Sequence, residues 1–103
     1  MSAEKDILAR YRTIAVVGLS ADADRPSHRV ARYLKEQGYR IIPVNPRQRE
    51  ILGERCYPDL CSIPGPVEVV QIFRQVRAVP RVVAQAIYIG AKAVWMQEGI
   101  VHQ

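Results

Sequence analysis

The amino-acid sequence predicts a single α/β domain with a mostly parallel sheet. Three observations predict it. The chain has 103 residues, which is enough for one small domain. Apolar β-branched runs alternate with amphipathic segments, and glycine or proline separates these runs and segments. The predicted order is strand, helix, strand, connector, strand, helix, strand, which favours parallel strands with right-handed crossovers and helices on both faces. Strands are predicted over 13–17, 39–44, 67–73 and 91–96, and helices over 26–37 and 79–89.

The first strand ends at a glycine and leads into a helix. The apolar run of residues 14–17 stops at Gly18, a polar loop follows, and Pro26 fits the first turn of the next helix. A strand–loop–helix unit of this kind can hold a phosphate at the helix N-terminus. The loop contains one glycine rather than a G-x-G-x-x-G sequence, which is a weak signal on its own.

The second strand and the connector carry proline. Pro43 lies inside the second strand and removes a hydrogen-bond donor, which normally restricts a strand to a sheet edge; the segment is nevertheless predicted to be a strand. Residues 51–66 hold several glycines and prolines and are predicted to be irregular, with one helical turn near Asp59 and Leu60.

Ligands of such sheets bind outside the carboxyl ends of the strands. Ser20 and Ser27 are predicted to donate to phosphate oxygens, with Arg25 and Arg29 supplying positive charge beside the helix N-terminus; the alternative is a solvated helix end. The segments that end at this edge are Gly18 to Ser20, Val44 to Pro46, Phe73 with Arg74, and Gln97 to Gly99.

The end of the second strand separates cofactor classes. NAD-binding domains place an acidic residue there for the ribose hydroxyls, whereas this chain has Asn45 and Pro46 followed by Arg47 and Arg49. This pattern disfavours NAD and favours a nucleotide with an extra ribose phosphate, for which NADP and coenzyme A (CoA) both qualify, unless the arginines are ordinary turn residues. Phe73 beside an arginine could pack on an adenine or a pantetheine arm, or belong to the core.

Composition and charge indicate the kind of partner and the location to expect for this protein. The net charge of +5 and pI near 9.6 favour an anionic partner, although a general arginine excess would also explain them. No apolar run reaches the ~18 residues of a membrane span, and no signal sequence is visible, so a cytoplasmic protein is expected. Cys56 and Cys61 lack the partners of a zinc site and are interpreted as reduced. No carboxylate close to His28 in sequence suggests a catalytic dyad, so His28 is expected to be a capping or surface residue. No catalytic or metal-ligating set is predicted.

Several motifs together resemble a known family. The chain resembles the small stand-alone CoA-binding proteins, which are similar to the CoA-binding domain of the succinyl-CoA synthetase α-subunit. The motifs that carry the resemblance are IAVVGLS at 14–20, RPSHRV at 25–30, GY at 38–39 with PVNP at 43–46, ILGE at 51–54 with YP at 57–58, and GAKAVWMQEG at 90–99.

This resemblance implies a Rossmann-like three-layer sandwich that binds CoA. The chain stops at Gln103, whereas members of the family usually continue with another helix and a last strand. The outer edge of the fourth strand is therefore expected to be unpaired, and an unpaired strand edge predicts self-association. By the resemblance the CoA site is lined by Gly18, Leu19, Ser20, Arg25, Ser27, Val30, Val44, Asn45, Pro46, Phe73, Arg74, Gln97, Glu98 and Gly99. The argument from the end of the second strand adds Arg47 to the predicted site.

Three functions follow in order of preference. The first is a non-enzymatic module for CoA or an acyl-CoA, with main chain around the diphosphate and arginines at the 3′-phosphate. The second is an NADP-dependent enzyme or subunit, for which no acid or base can be nominated. The third is nucleic-acid binding, which is disfavoured because the aromatic residues are not interleaved with arginine on one face.

Overall fold

A parallel sheet flanked by helices forms the centre of the molecule. The computed structural model describes residues 9–74 and 76–96. The elements of that part are β1 Thr13–Val17, α1 Pro26–Glu36, β2 Arg40–Val44, β3 Glu50–Ile51, β4 Glu54–Arg55, a 3-10 turn Leu60–Ser62, β5 Val69–Ile72, a 3-10 turn Val76–Ala78, α2 Val79–Tyr88 and β6 Ala93–Met96. Four of these strands form the main sheet in the order β2-β1-β5-β6, all parallel, and β3 pairs with β4 in a two-stranded hairpin.

The two faces of the sheet bury separate apolar clusters, because successive side chains of a strand point to opposite faces. Ile14 and Val16 of β1 pack on the α1 side, with Ala31 and Leu34 of that helix. Ala15 and Val17 pack on the α2 side, where Ala86 is completely buried. The result is the three-layer, Rossmann-like α/β arrangement that the sequence predicts.

The strand predicted around Pro43 is confirmed as β2. Pro43 is tolerated because, among residues 9–74 and 76–96, β2 lies at the edge of the sheet and pairs in register with β1 alone, with Pro43 opposite Val16. In the same residues, the outer side of β2 adds a bridge from Val44 to Tyr57. Tyr57 donates its N–H to the carbonyl of Pro43, so the connector is tied to the end of this strand.

The connector is more regular than predicted. Residues 50–55 form a hairpin whose two turn residues, Leu52 and Gly53, both have positive φ (58° and 75°). Two positive φ values are typical of a tight hairpin turn, but Leu at the first position is an unusual choice, so the sequence does not announce the turn. The predicted helical turn is confirmed as the 3-10 turn Leu60–Ser62, which the Asp59 side chain caps.

Candidate functional site

The carboxyl ends of three strands meet at one place. Gly18 donates its N–H to the Val44 carbonyl at 3.0 Å, and Phe73 donates its N–H to the Val17 carbonyl at 2.8 Å. The Asn45 side chain adds a bond of 2.9 Å from Nδ2 to the Leu19 carbonyl. The predicted segments after β1, β2 and β5 therefore share one edge, whereas Gln97, Glu98 and Gly99 lie outside the described residues.

Gly18 is required by the backbone at this point. Its φ is +86°, and a Cβ built on it would lie 2.3 Å from the carbonyl oxygen of Phe73 and 3.0 Å from Cδ of Arg74. Only glycine allows the loop after β1 to pass this close to the end of β5. The close approach brings the chain after β1 against the main chain of Phe73.

The loop between β1 and α1 is held by its own side chains. Ser20 donates its N–H to Oγ of Ser27 at 3.0 Å, and Nδ1 of His28 lies 2.8 Å from the Ser20 carbonyl oxygen. Because a carbonyl oxygen only accepts, Nδ1 of His28 carries the hydrogen of this bond. Ser20 Oγ accepts from the Asp22 N–H, and Asp22 Oδ1 accepts from the Asp24 N–H. The loop is therefore fixed before any ligand arrives.

Several predicted contact residues pack in the core or hold the loop. The side chains of Leu19 and Phe73 belong to the α1-side core, with Val30 packed against it, and Ser27 is only 4% exposed. Ser27 Oγ accepts the Ser20 N–H, so this side chain positions the loop. His28, expected to be a capping or surface residue, is 9% exposed and holds the same loop.

The N-terminus of α1 is open. Arg25 is the N-cap residue, its backbone is extended, its side chain makes no capping bond, and the first turn contains no acidic residue. Pro26 has no N–H and the His28 N–H donates to the Arg25 carbonyl at 3.1 Å, so the Ser27 N–H is the first-turn donor left for an anion, and the helix dipole favours negative charge there. Arg25 and Arg29 are both exposed beside it, as the sequence predicts.

The Asn45 side chain joins two loops. In addition to its bond to Leu19, its Oδ1 accepts from the Arg47 N–H at 2.8 Å, which closes a turn after β2. Both ends of the Asn45 amide are thus used within the protein. Arg47 itself is exposed on this turn.

A cleft opens on the α2 side of the same edge. Its volume is about 540 Å³, within the range of small-molecule sites. Apolar residues from β1, β2, the connector and α2 form its floor, and three arginines line it. The lining residues are Val17, Val44, Pro46, Pro58, Asp59, Leu60, Arg74, Arg77, Ala78, Arg81, Val82 and Gln85.

The three arginines of the cleft, Arg74, Arg77 and Arg81, are called the arginine wall below. All three are exposed, and among the described residues no carboxylate forms an ion pair with any of them. Asp59 also lines the cleft, but its Oδ1 accepts from the N–H and the hydroxyl of Ser62 at 2.9 and 2.8 Å. The cleft therefore carries a net positive charge, because three guanidinium groups line it against the single carboxylate of Asp59.

Sequence reasoning missed two members of this wall. Arg77 and Arg81 were not singled out, although residues 77, 78, 81, 82 and 85 repeat with the spacing of one helix face. That periodicity, with arginine at two of the five positions just after β5, is the signal that could have found them. Of the predicted site residues, Val44, Pro46 and Arg74 line the cleft, while Arg25 lies at the α1 N-terminus.

The remaining reactive groups lie elsewhere. Both cysteines are free; Cys56 is buried and Cys61 is exposed. Burial, with the nearby charge of Glu50, raises the pKa of the Cys56 thiol, which makes it a poor nucleophile.

Within residues 9–74 and 76–96, no group of three His, Cys, Asp or Glu side chains could hold a metal ion. A search of the same residues finds no helix with the length and apolarity to cross a membrane.

The topology and the strand-end cleft define a Rossmann-like α/β domain. Residues 12–103 match the family described as "CoA binding domain", so the chain belongs to the CoA-binding domain family, as the sequence motifs suggest. It is 41% identical over 99 residues to the uncharacterized protein YneT of Bacillus subtilis, which covers 96% of this chain and 73% of YneT.

Two further comparisons connect fold and relatives. The structure of a hypothetical protein from Pyrococcus horikoshii OT3 superimposes with a TM-score of 0.89 at 43% identity, covering 95% of this chain and 70% of that one. The ADP-forming acetate–CoA ligase II of Archaeoglobus fulgidus is 34% identical over 83 residues, which is 79% of this chain but 12% of the ligase. The chain is therefore similar to one small part of that enzyme.

Proposed function

We propose that this protein binds CoA or an acyl-CoA at the carboxyl ends of β1, β2 and β5. The observation that carries the proposal is the cleft there, which combines an apolar floor with three arginines that pair with no described carboxylate. Guanidinium groups bind phosphate through paired, charge-assisted hydrogen bonds. Membership of the CoA-binding domain family supports CoA as the phosphorylated ligand.

The end of β2 supports a ligand with a phosphorylated ribose. The position at which NAD-binding domains carry an acidic residue is occupied by Asn45, whose amide bonds to Leu19 and to the N–H of Arg47. Asn45 therefore puts no carboxylate at that position to accept from free ribose hydroxyls. The sequence prediction that Arg47 contacts the ligand remains part of the proposal.

The diphosphate would lie near the uncapped N-terminus of α1. Arg25 is exposed there, and the loop that ends in α1 is already ordered by Ser27 and His28. A preformed loop loses little conformational entropy when a ligand binds, which favours affinity. These features need no reacting side chain, and the proposal assigns binding alone to this chain.

Calorimetric titration with CoA, dephospho-CoA, NADP and NAD tests the proposal. We expect CoA to bind most tightly, dephospho-CoA more weakly because it lacks the ribose phosphate, and NAD least. Tighter binding of NADP than of CoA would instead support the second candidate, an NADP-dependent enzyme or subunit. No binding of CoA would overturn the proposal.

A substitution series relates the binding to the cleft. Arg74→Ala removes a lining arginine, and Arg32→Ala removes an exposed arginine from α1 outside the cleft. We expect Arg74→Ala to weaken CoA binding about tenfold or more, since hydrogen bonds to charged groups contribute about 1.5–3 kcal/mol. Arg32→Ala should bind CoA like the wild type.

The same proposal includes self-association and a cytoplasmic location. Within the described residues, β6 pairs with β5 alone, and a strand edge with free backbone groups can pair with a second copy. Sedimentation velocity over a range of concentrations tests this expectation, and a strictly monomeric profile would contradict it. Cell fractionation tests the location.

A further inference from the structure

Lys35 joins helix α1 to the hairpin formed by β3 and β4. It lies in the last turn of α1, where its Nζ donates to the Leu52 carbonyl and forms an ion pair with Oε2 of Glu54 at 3.0 Å. Leu52 and Glu54 stand on either side of Gly53, so one amine contacts both sides of the hairpin turn. Because the side chains of the ion pair are 38% and 40% exposed, the charge-assisted bond to the carbonyl is the stronger of the two contacts.

The hairpin depends on contacts with α1 for its conformation. β3 and β4 pair two residues each, and Leu52 has a φ of +58°, which residues other than glycine disfavour. A two-stranded hairpin without packing is at best marginally stable in water. On the β3 side, Ile51 is buried in the α1-side core and Leu52 packs against it. On the β4 side, Glu54 contacts α1 through Lys35.

The residues that follow the hairpin hold both ends of the turn after β2. The Cys56 N–H donates to the Arg49 carbonyl at 2.8 Å, and the next residue, Tyr57, accepts the Asn45 N–H on its carbonyl at 2.9 Å. Arg47 lies between these two ends, and its N–H donates to Oδ1 of Asn45 at 2.8 Å. A shift of the hairpin would therefore move the turn that carries Arg47.

We infer that Lys35 is a positioning residue for the proposed ligand site. It holds the β3–β4 hairpin against α1, and the hairpin holds the turn from which Arg47 contacts the ribose phosphate of CoA in the proposed function. The inference rests on that proposed function. Lys35 itself makes no ligand contact, because it lies at the opposite end of α1 from Arg25 and the carboxyl ends of the strands.

The test compares CoA with dephospho-CoA, which lacks the ribose phosphate. Both ligands are titrated into the wild type, Lys35→Met, Lys35→Arg and Lys92→Met. Methionine keeps an apolar stem and removes the amine, whereas arginine keeps a positively charged donor. Lys92→Met is the matched control, because it removes the same charge from an exposed lysine just before β6. A thermal unfolding curve for each variant shows that it is folded under the titration conditions.

We expect Lys35→Met to bind CoA about fivefold more weakly and dephospho-CoA within about twofold of the wild type, so that the preference for CoA falls. Lys35→Arg should recover most of that preference, and Lys92→Met should keep it. Glu54→Gln, which removes the ion pair alone, should lower the preference by a smaller factor. An unchanged preference in Lys35→Met, or an equal loss in Lys92→Met, would overturn the inference while leaving CoA binding in place. If the wild type bound no CoA, the proposed function would fall and the inference with it.

Amide hydrogen exchange of the ligand-free proteins tests the connection through the hairpin. In Lys35→Met, the amides of Asn45 and Cys56 should exchange faster than in the wild type, because the hairpin opens more often. The Phe73 amide, which bonds to Val17 on the other side of β1, should exchange at the wild-type rate. Unchanged exchange at Asn45 and Cys56 would contradict the positioning role.

Discussion

The end of the sheet at which its parallel strands begin differs from the end at which they finish in how polar groups are satisfied. At the first, called the amino edge below, the Glu68 carboxylate accepts from the N–H groups of Arg12 and Thr13 at 2.8 and 3.0 Å. The other is called the carboxyl edge. The Glu68 carbonyl accepts from Lys92 and Ala93 at 2.7 and 3.1 Å. One acidic residue thus ties the starts of β1, β5 and β6 together.

At the carboxyl edge, side chains also hold the loops, but the described residues provide no ion-pair partner for three arginines. Ser27, His28 and Asn45 hold the loops, while the arginine wall remains exposed without a described acidic partner. Exposed arginines also lie at the amino edge, at Arg12 and Arg40, so the difference is that the arginines of the carboxyl edge line a cleft, which offers an anion a concave site. Substitutions at the two edges should therefore respond differently to ligand.

The largest effect is expected at the carboxyl edge from Gly18→Ala. A methyl group there meets the Phe73 carbonyl at 2.3 Å in addition to the strain of a φ of +86°. We expect a loss of about 3 kcal/mol or more in the free energy of unfolding, measured by urea denaturation. Gly90→Ala is the matched control, because its φ is +79° and nothing lies within 4 Å; it should cost only about 1 kcal/mol. Equal losses would mean that the approach to Phe73 is not tight.

A smaller effect is expected from His28→Leu, which removes the donor to the Ser20 carbonyl. The unsatisfied carbonyl should cost about 1–3 kcal/mol of stability and weaken CoA binding, because the loop is no longer fixed. His28→Asn keeps an N–H at the place of Nδ1 and should recover most of both losses. If His28→Asn behaved like His28→Leu, the hydrogen bond would not be what orders the loop.

Arg81→Gln in the arginine wall should raise the stability of the free protein and lower the stability of the CoA-bound protein, relative to the wild type. In the free protein, Arg81→Gln removes a positive charge from the first turn of α2, where the helix dipole disfavours it, and should raise the unfolding free energy by about 0.3 kcal/mol. With saturating CoA the wild type should become the more stable protein, because it binds CoA more tightly. Thermal unfolding of both proteins, with and without CoA, measures the reversal. A lower melting temperature for ligand-free Arg81→Gln would show that the wall stabilises the fold.

The smallest effect is expected at the amino edge from Glu68→Gln. The backbone N–H of Arg12, followed by that of Thr13, lowers the pKa of the partly exposed Glu68 carboxyl group. A lowered pKa means that the ionised group stabilises the fold above its unfolded pKa and that this contribution disappears as the pH falls through the folded value. The wild type should therefore exceed Glu68→Gln in stability at neutral pH, and the gap should close in acid. CoA should not alter the gap, and a gap that persisted in acid would contradict the assignment.

The sequence predicts the sheet because its signals are local. The apolar runs, Gly18 after β1 and Pro43 in an edge strand each report on their own surroundings. The hairpin at 50–55 was missed because Leu52 adopts a conformation that its side chain does not favour. What a local pattern cannot give is the direction of a side chain after folding.

The candidate site illustrates that limit. Ser27 looks like a phosphate ligand in sequence, but folding turns its hydroxyl to the Ser20 N–H. Arg77 and Arg81 look like ordinary helix residues until the sheet brings α2 beside Val44 and Pro46. The edge of the sheet was predictable, whereas the division between residues that hold the loop and residues that face the cleft required the tertiary structure.

A crystal structure of the complex with CoA tests the central claim most directly. We expect the nucleotide to lie across the ends of β1, β2 and β5, with phosphate oxygens of CoA within about 3 Å of guanidinium nitrogens of the arginine wall. CoA bound at the amino edge or on the β3–β4 hairpin would contradict the account.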